Sequence, residues 1–169
     1  MLSKIKTAIA ALALTAQAAF AGQPEPVELA PIDHVNASLV VVASDGTDTT
    51  YSPADLERFA TYRMTTTTPW RDEPADFEGV LLTDILRASG LDGAASISVT
   101  AENDYRTVIE REIWESVDIL VATRVDGRAH TRRARGPIQF VIDTEAFEGS
   151  NLTSQSNLVW MAARIEVAG

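Results

Sequence analysis

A threonine-rich segment followed by a tryptophan is the part of this sequence best suited to holding a flat ligand. Residues 65–68 are all threonine, and Pro69 and Trp70 follow them. An indole ring stacks on planar heterocycles, and hydroxyl groups and backbone amides hydrogen-bond to the edge of such a ring. The same residues are also typical of an ordinary β-strand that ends at a core tryptophan. These residues alone leave both interpretations open, and Thr67, Thr68 and Trp70 are candidate site residues.

The tripeptide Asn103-Asp104-Tyr105 offers a second set of ligand-binding groups. A carboxylate accepts two protons as a bidentate pair. Asp104, or Glu102 beside it, would therefore suit an amidine-like edge, in which an exocyclic amine adjoins a ring N–H. Hairpin turns also favour Asn and Asp for purely conformational reasons. The segment therefore either supplies a carboxylate that hydrogen-bonds to the edge of a ligand or is a plain turn.

Three arginines, Arg132, Arg133 and Arg135, form a cationic cluster just before Gly136-Pro137 in an acidic chain. The sequence has 14 basic and 24 acidic residues and a formal net charge of −10. This balance argues against binding to nucleic acid or to anionic lipid. Guanidinium groups suit phosphate and carboxylate. The cluster is therefore either an anion site or a solvated hairpin that balances nearby acidic residues.

A polar segment over 154–157 is followed by Val159-Trp160. Ser156 can supply a hydroxyl to a site, and Trp160 is either part of that site or a core residue. The two histidines, His34 and His130, have no partner at metal-binding spacing, and the sequence contains no cysteine. No zinc site, disulfide or cysteine nucleophile is therefore predicted.

The first 21 residues have the features of a secretory signal peptide. Lys4 and Lys6 form a basic start, 8–16 is a short apolar run, and Ala19-Phe20-Ala21 is a small-x-small cleavage site. The apolar run is too short to span a bilayer well. We therefore expect cleavage after residue 21 and a periplasmic mature protein.

Hydrophobic alternation and turn signals predict many short strands and two or three short helices. Residues 22–37, which include three prolines, are expected to form an exposed N-terminal arm, and 38–169 a single domain. Ser52-Pro53-Ala54-Asp55 has the form of a capping box for a helix that reaches about Phe59. A second helix is predicted over 80–89, with Gly90 as its stop. Strands are predicted over 38–43, 47–51, 62–67, 96–101, 105–109, 119–125, 128–131, 138–142 and 158–167. The absence of regular strand–helix alternation indicates an α+β fold.

Several of these motifs, in this order, resemble the sulfite oxidase-type molybdopterin-binding domain family. The resemblance is carried by the threonine strand with Pro69-Trp70, by the "F-x-G-V-x-L" pattern from Phe77, by the Asn-Asp-Tyr turn, by "R-x-x-G-P" from Arg133 and by Val159-Trp160. It extends from about Ser38 to Val167. It implies a mixed, barrel-like α+β sheet. In that family a cysteine at the end of the strand ligates molybdenum, whereas this chain has threonine there.

The resemblance implies a periplasmic protein that binds a pterin, either a simple pterin or a molybdopterin-like one, without redox activity and without a metal. Small exported members of this kind lack cysteine and bind pterins. Some of them relay pterin occupancy to an inner-membrane signalling protein, such as a cyclic di-GMP enzyme or a histidine kinase, and the resemblance implies the same role here. A molybdopterin-dependent oxidoreductase and a ligand-free interaction module are the alternatives. The implied pterin-binding residues are Thr67, Thr68, Trp70, Asn103, Asp104, Tyr105, Arg132, Arg133, Arg135, Ser156 and Trp160.

Overall fold

The computed structural model describes residues 22–169 as one small domain built from two β-sheets; the predicted signal peptide lies outside the described residues. The strands are β1 (Glu25–Pro26), β2 (Leu39–Val42), β3 (Asp48–Tyr51), β4 (Thr61–Thr68), β5 (Arg71–Leu81), β6 (Ser96–Ala101), β7 (Arg106–Glu110), β8 (Leu120–Val125), β9 (Arg128–Ala129), β10 (Gln139–Val141) and β11 (Ala162–Val167). The helices are α1 (Pro53–Leu56), α2 (Leu82–Ala88), α3 (Arg111–Ser116) and α4 (Thr144–Gly149), with 3₁₀ turns at Arg132–Ala134 and Gln155–Asn157. Within residues 22–169, none of the helices combines the length and apolar character needed to cross a bilayer.

The six-stranded sheet is antiparallel and is organised around the long hairpin of β4 and β5. Its order is β1-β4-β5-β8-β10, and β9 pairs with β8. Met64 lies opposite Phe77, and Thr68 opposite Arg71, so the hairpin turns at Pro69-Trp70. The hairpin therefore carries the threonine segment and Trp70 to one end of the sheet.

The five-stranded sheet has the order β3-β2-β11-β6-β7 and contains one parallel pair, β2 with β11. Residues from both sheets, such as Val41, Ile97, Val121, Phe140 and Ile165, join in one buried apolar cluster. A second cluster contains Ala122 of β8, whose neighbour Val121 belongs to the first. Because neighbouring strand residues point to opposite faces, the six-stranded sheet is buried on both sides.

The segment Leu158–Met161, here called the crossing segment, connects the two sheets. Phe140 N–H donates to Val159 C=O at 2.7 Å, and Trp160 forms a β-bridge with Gln139. Met161 then adopts a positive φ of 56°, and its C=O accepts from Glu102 N–H at 2.8 Å. The chain thus passes from the edge of one sheet into β11 of the other within a few residues.

Residues 22–37 lie along the domain and contribute to it. β1 pairs with β4, so this segment extends the six-stranded sheet. Arg124 donates to Ala30 C=O at 2.8 Å and to Glu57 Oε1 through Nε at 2.8 Å. His34 Nε2 lies 3.1 Å from the same Glu57 oxygen. Although many side chains of the predicted arm are exposed, its backbone is attached to the sheet edge and to a buried charge cluster.

The structure confirms the sheet-dominated α+β character and corrects several details. The expected barrel-like closure is wrong, because residues 22–169 form two separate sheets and no closed barrel. The second helix begins at Leu82, since Val80 still pairs with Thr61 and Val121 in β5. The first helix ends at Leu56, before the predicted end at Phe59. The last strand begins at Ala162, because the crossing segment occupies the preceding residues.

Gly79 gives the first testable prediction. A Cβ atom at this position would lie 2.1 Å from the Val121 carbonyl oxygen, at the point where the pairing of β5 with β8 shifts register. Gly79→Ala should therefore force the strands apart and lower the free energy of unfolding by about 1–3 kcal/mol in denaturant titration. Gly93→Ala is the control, because no atom lies within 4 Å of a Cβ there. Equal stability of the two variants would contradict the close approach.

The Glu57 cluster predicts a pH dependence. Burial pushes the pKa of Glu57 up, but hydrogen bonds from Arg124 and Thr123 outweigh it and hold the pKa below its ordinary value of 4.5. A carboxyl with a lowered folded-state pKa stabilises above its unfolded pKa, and this contribution is lost as pH falls below that value. Glu57→Gln should cost about 3–5 kcal/mol at neutral pH, because it leaves Arg124 buried without its partner.

The matched measurement is thermal unfolding of wild type and Glu57→Gln between neutral pH and acid. The stability difference between them should shrink as pH falls below about 4.5. Asp92→Asn is the control, since Asp92 is exposed and in none of the ion pairs among residues 22–169. A difference between wild type and Glu57→Gln that is constant with pH would show that Glu57 is not the responsible group.

Candidate functional site

Two tryptophans and one arginine meet where the β4–β5 turn approaches the crossing segment. Trp70, with 36% of its surface exposed, has its ring centroid 6.4 Å from that of Trp160, at an interplanar angle of 54°. The Arg135 guanidinium carbon lies 4.8 Å from the Trp70 ring centroid and 5.1 Å from that of Trp160. Cation–π attraction to both indoles stabilises this arrangement. Trp160 is thus at the surface of the cluster and only half-buried.

Local backbone conformation places Arg135 in this position. It follows the 3₁₀ turn Arg132–Ala134 and adopts a left-handed φ of 76°. Its carbonyl accepts from Met161 N–H at 3.2 Å, which links it to the crossing segment. A left-handed conformation is uncommon for a residue with a Cβ. Arg135 caps the end of the 3₁₀ turn, where its N–H donates to Arg132 C=O at 3.1 Å, and it also contacts both indoles and Met161.

Three adjoining hollows, of about 310, 260 and 250 Å³, surround this cluster, and together we call them the cleft. The first is lined by Thr67, Thr68, Pro69, Ile142, Thr144, Phe147, Glu148, Gln155 and Leu158. The second is lined by Trp70, Asn103, Tyr105, Gln155, Ser156, Leu158 and Trp160. The third is lined by Thr68, Trp70, Arg71, Phe77, Val125, His130, Arg133, Ala134, Arg135 and Gln139. Shared residues make them one continuous surface, with Trp70 between the second and third hollows.

The charge of the cleft is opposite to that of the chain. Arg71, Arg133 and Arg135 line it, against one acidic residue, Glu148. Arg71 is paired with Asp126 at 3.1 Å. Within the described part of the chain, neither Arg133 nor Arg135 takes part in an ion pair. Two guanidinium groups are therefore available to an anion at the third hollow.

His130 is a cleft residue that the sequence interpretation did not identify. It is 2% exposed, and its Nε2–H donates to Gln139 Oε1 at 2.7 Å. Burial lowers its pKa below the ordinary 6.5, against the opposing effect of the Gln139 hydrogen bond, and Arg71 lowers it further. The imidazole is therefore neutral at pH 7, and Nδ1, which has no partner among residues 22–169, is left as an acceptor. His130 is a lone histidine in a hairpin, so the sequence contained no motif that would identify it as a site residue.

The threonines at the end of β4 help to build the wall of the cleft. Thr144 N–H donates to Thr66 Oγ1 at 2.9 Å, and the hydroxyls of Thr144 and Thr67 are 2.7 Å apart. These bonds attach the start of α4 to the strand. Thr67 and Thr68, which are candidate residues from the sequence, both line the first hollow. Part of the hydrogen-bonding capacity of Thr67 is used within the protein, by Thr144.

The Asn-Asp-Tyr turn divides its residues between the cleft and solvent. Asn103 and Tyr105 line the second hollow, whereas Asp104, at a positive φ of 64°, lies outside all three hollows. Both carboxylate oxygens of Glu102 accept from Arg132, at 2.6 and 2.7 Å. Glu102 and Arg132 therefore form a structural pair at the edge of the cleft, and neither lines it.

Residues from α4 and from the polar segment 154–157 complete the cleft. α4 supplies Thr144, Phe147 and Glu148, and the later 3₁₀ turn supplies Gln155 and the candidate Ser156. The helix is capped by Asp143, whose carboxylate accepts from Glu145 N–H at 3.0 Å. An Asp followed by Thr-Glu is an N-cap signal, and it is the feature from which this helix could have been predicted.

Among residues 22–169, no group of three or more His, Asp or Glu side chains is placed to hold a metal ion. Trp114 is 5% exposed and belongs to the main apolar cluster between the sheets.

No protein-family model matches this sequence, and no curated protein is significantly similar to it. Solved structures do match. The sulfane dehydrogenase SoxCD from Paracoccus pantotrophus superposes with a TM-score of 0.57 at 13% sequence identity. The superposition covers 78% of this chain and 38% of the SoxCD chain, so this chain spans well under half the length of that protein. The two sheets described here therefore have a fold similar to that of part of a sulfane dehydrogenase.

Proposed function

We propose that this protein binds a pterin in the cleft and carries out no redox chemistry. The observation that carries the proposal is the Trp70–Arg135–Trp160 cluster at the junction of the three hollows. It combines an aromatic surface with positive charge in an acidic chain. The motif resemblance to the sulfite oxidase family and the fold likeness to a sulfane dehydrogenase both support a pterin as the flat ligand.

The geometry of the two tryptophans favours stacking of the ligand ring on one face of a single indole. Arg135 already lies against both rings, whose centroids are 6.4 Å apart and tilted, so a bicyclic ring does not fit between them. In the second hollow, Asn103, Ser156 and Gln155 surround the same aromatic surface. Their amide and hydroxyl groups can donate to and accept from the edge of a heterocycle. The ring of the ligand is therefore assigned to the second hollow.

The positive charge favours a ligand with an anionic substituent. Arg133 and Arg135 line the third hollow, which adjoins the second at Trp70. A guanidinium binds phosphate or carboxylate through two parallel N–H donors. A pterin with a phosphate or carboxylate tail can thus place its ring in the second hollow and its charge in the third.

We assign the amidine-like edge of the ligand to a carboxylate other than Asp104 or Glu102. Glu102 is saturated by Arg132, and Asp104 lies outside the cleft. Glu148 lines the first hollow, which shares Gln155 and Leu158 with the second. We therefore assign the amino group and ring N–H of the pterin to Glu148.

Because the sequence contains no cysteine, we expect the protein to bind the pterin without holding molybdenum through a thiolate. The family that the motifs resemble anchors its metal through a thiolate at the strand end, and here Thr66 and Thr67 use their hydroxyls to hold α4. A threonine hydroxyl is a much weaker metal ligand than a thiolate because it stays protonated at neutral pH. The remaining surface suits recognition of the organic ring.

Export and signalling belong to the same proposal. The leader-like residues 1–21 support delivery to the periplasm. There, pterin occupancy would be relayed to the periplasmic part of an inner-membrane cyclic di-GMP enzyme or histidine kinase. Such a relay requires that the partner bind the pterin-loaded and pterin-free forms with different affinity.

The decisive experiment is a titration of protein purified from a periplasmic fraction, with pterin fluorescence and molybdenum content measured on the same sample. We expect pterin binding without stoichiometric molybdenum, and tighter binding of a phosphorylated pterin than of its unphosphorylated counterpart. Trp70→Ala should weaken binding by about 1–3 kcal/mol through loss of stacking. Trp114→Phe, which alters a tryptophan in the core, is the control. Stoichiometric molybdenum, absence from the periplasm, or unchanged affinity of Trp70→Ala would each contradict the part of the proposal that it tests.

A pair of carboxylate variants tests the assignment of the ligand edge. Glu148→Gln should lower pterin affinity by about 1.5–3 kcal/mol, because it replaces a charge-assisted pair. Asp104→Asn should leave affinity unchanged, since the side chain lies outside the cleft. Asn tolerates the left-handed conformation of this position, so both variants should fold. The opposite pattern of affinities would return the assignment to Asp104.

A further inference from the structure

The strand β7 is the last strand of the five-stranded sheet and lies near the 3₁₀ turn Gln155–Asn157. The sheet order ends at β7, which pairs with β6 alone among the described strands. Val108, in the centre of β7, has 47% of its surface exposed, and Arg106 and Glu110 on either side of it are also exposed. An edge strand with an exposed apolar centre is a template for pairing with another strand.

The hydrogen bonds at the ends of β7 show which backbone groups face outward. Tyr105 C=O accepts from Ala101 N–H at 2.8 Å, and Arg111 N–H donates to Ala95 C=O at 2.9 Å. In an antiparallel ladder the direction of these groups alternates along the strand. Residues 105, 107, 109 and 111 therefore bond toward β6. The N–H and C=O groups of Arg106, Val108 and Glu110 point to the free edge.

The charges on β7 are complementary to those of a second, antiparallel copy of the same strand. An antiparallel copy of β7 centred on Val108 places Val108 opposite Val108, and Arg106 opposite Glu110 of the second copy. Glu110 likewise lies opposite Arg106 of the second copy. The three facing pairs are all hydrogen-bonded pairs, which allows about six backbone hydrogen bonds. Opposite charges across antiparallel strands stabilise the pairing.

We propose that β7 is a self-association surface, on which a second copy of this chain pairs antiparallel about Val108 and joins the two five-stranded sheets into one. Glu110 belongs to no ion pair among residues 22–169, and Arg106 reaches Glu166 only at 4.0 Å. Both charges are therefore free to pair across the two-fold axis. A two-fold axis through facing Val108 residues makes the interface closed and self-complementary.

The opposite edge of the same sheet lacks this pattern. β3 carries Asp48, Thr49, Thr50 and Tyr51, and an antiparallel copy centred on that strand places Asp48 opposite Tyr51 with no cation. The edge that carries matched charges is thus β7. Because its pairing spans only five residues, the area buried is at the low end for specific interfaces, and the dimer should be weak and concentration-dependent.

Cross-linking provides a direct test, because the sequence contains no cysteine and one introduced thiol is the sole reactive site. Facing residues of a hydrogen-bonded antiparallel pair have Cα atoms about 5.5 Å apart, within the range of about 4.4–6.8 Å that a disulfide spans. Val108→Cys should form a disulfide dimer on mild oxidation, with a rate that rises with protein concentration. Val167→Cys is the matched control, since Val167 is also a strand valine with 48% exposure. Equal cross-linking of the two variants would overturn the proposal.

Charge reversal tests the register. Arg106→Glu or Glu110→Arg alone should weaken the wild-type dimer at least tenfold in sedimentation equilibrium, because like charges then face each other. The double variant, Arg106→Glu with Glu110→Arg, should restore association to near the wild-type level. Arg128→Glu, an exposed arginine on β9, is the control of equal charge change. A wild type that is monomeric at all concentrations, or a folded double variant that does not recover, would overturn the self-pairing and leave β7 to a different protein.

Discussion

Backbone hydrogen bonding through the crossing segment is the constraint on which the cleft depends. Val159 C=O holds Phe140 of the six-stranded sheet, and two residues later Met161 C=O holds Glu102 at the end of β6 in the other sheet. Met161 adopts a left-handed φ of 56° in the short stretch between these two bonds. Because Trp160 lies between these two bonds, its indole is held at the seam of the two sheets.

Some arginines of this region form ionic contacts that build the cleft, and others are left to bind a ligand. Arg132 binds both oxygens of Glu102 and also donates to Asn36 C=O at 3.0 Å, so it connects three separate segments of the chain. This connection holds the Asn103 turn on one side of the cleft and Arg133 and Arg135 on the other. The cluster of arginines predicted from sequence is therefore heterogeneous, with one structural cation and two that line the third hollow.

The elements with strong local signals were predictable, and those fixed by tertiary context were not. The capping box at Ser52 and Asp55 is present in the structure, since both of its reciprocal bonds are local. By contrast, Val80 was predicted to begin a helix, but pairing with β4 and β8 holds it in β5. Local sequence carries no record of those partners. The predicted start of the last strand, at Leu158, was wrong for the same reason, because the crossing segment is shaped by contacts with both sheets.

The candidate site was predictable to the extent that its residues lie on recognisable motifs. Trp70, Asn103, Arg135 and Trp160 stand on motifs and do converge. His130 and Glu148 carry no motif, and only the folding of β9 and α4 toward the β4 strand end brings them to the cleft. The neutral state of the His130 imidazole follows from burial, which sequence patterns do not encode.

The arrangement of the tryptophans also gives the molecule an intrinsic optical reporter. Two of its three indoles, Trp70 and Trp160, share the Arg135 cation at the cleft, while Trp114 is enclosed in the core. Emission from the first two responds to any change of polarity or charge at the cleft, whereas Trp114 supplies a constant, solvent-shielded background. Occupancy of the cleft is thereby converted into a spectral change without any added label.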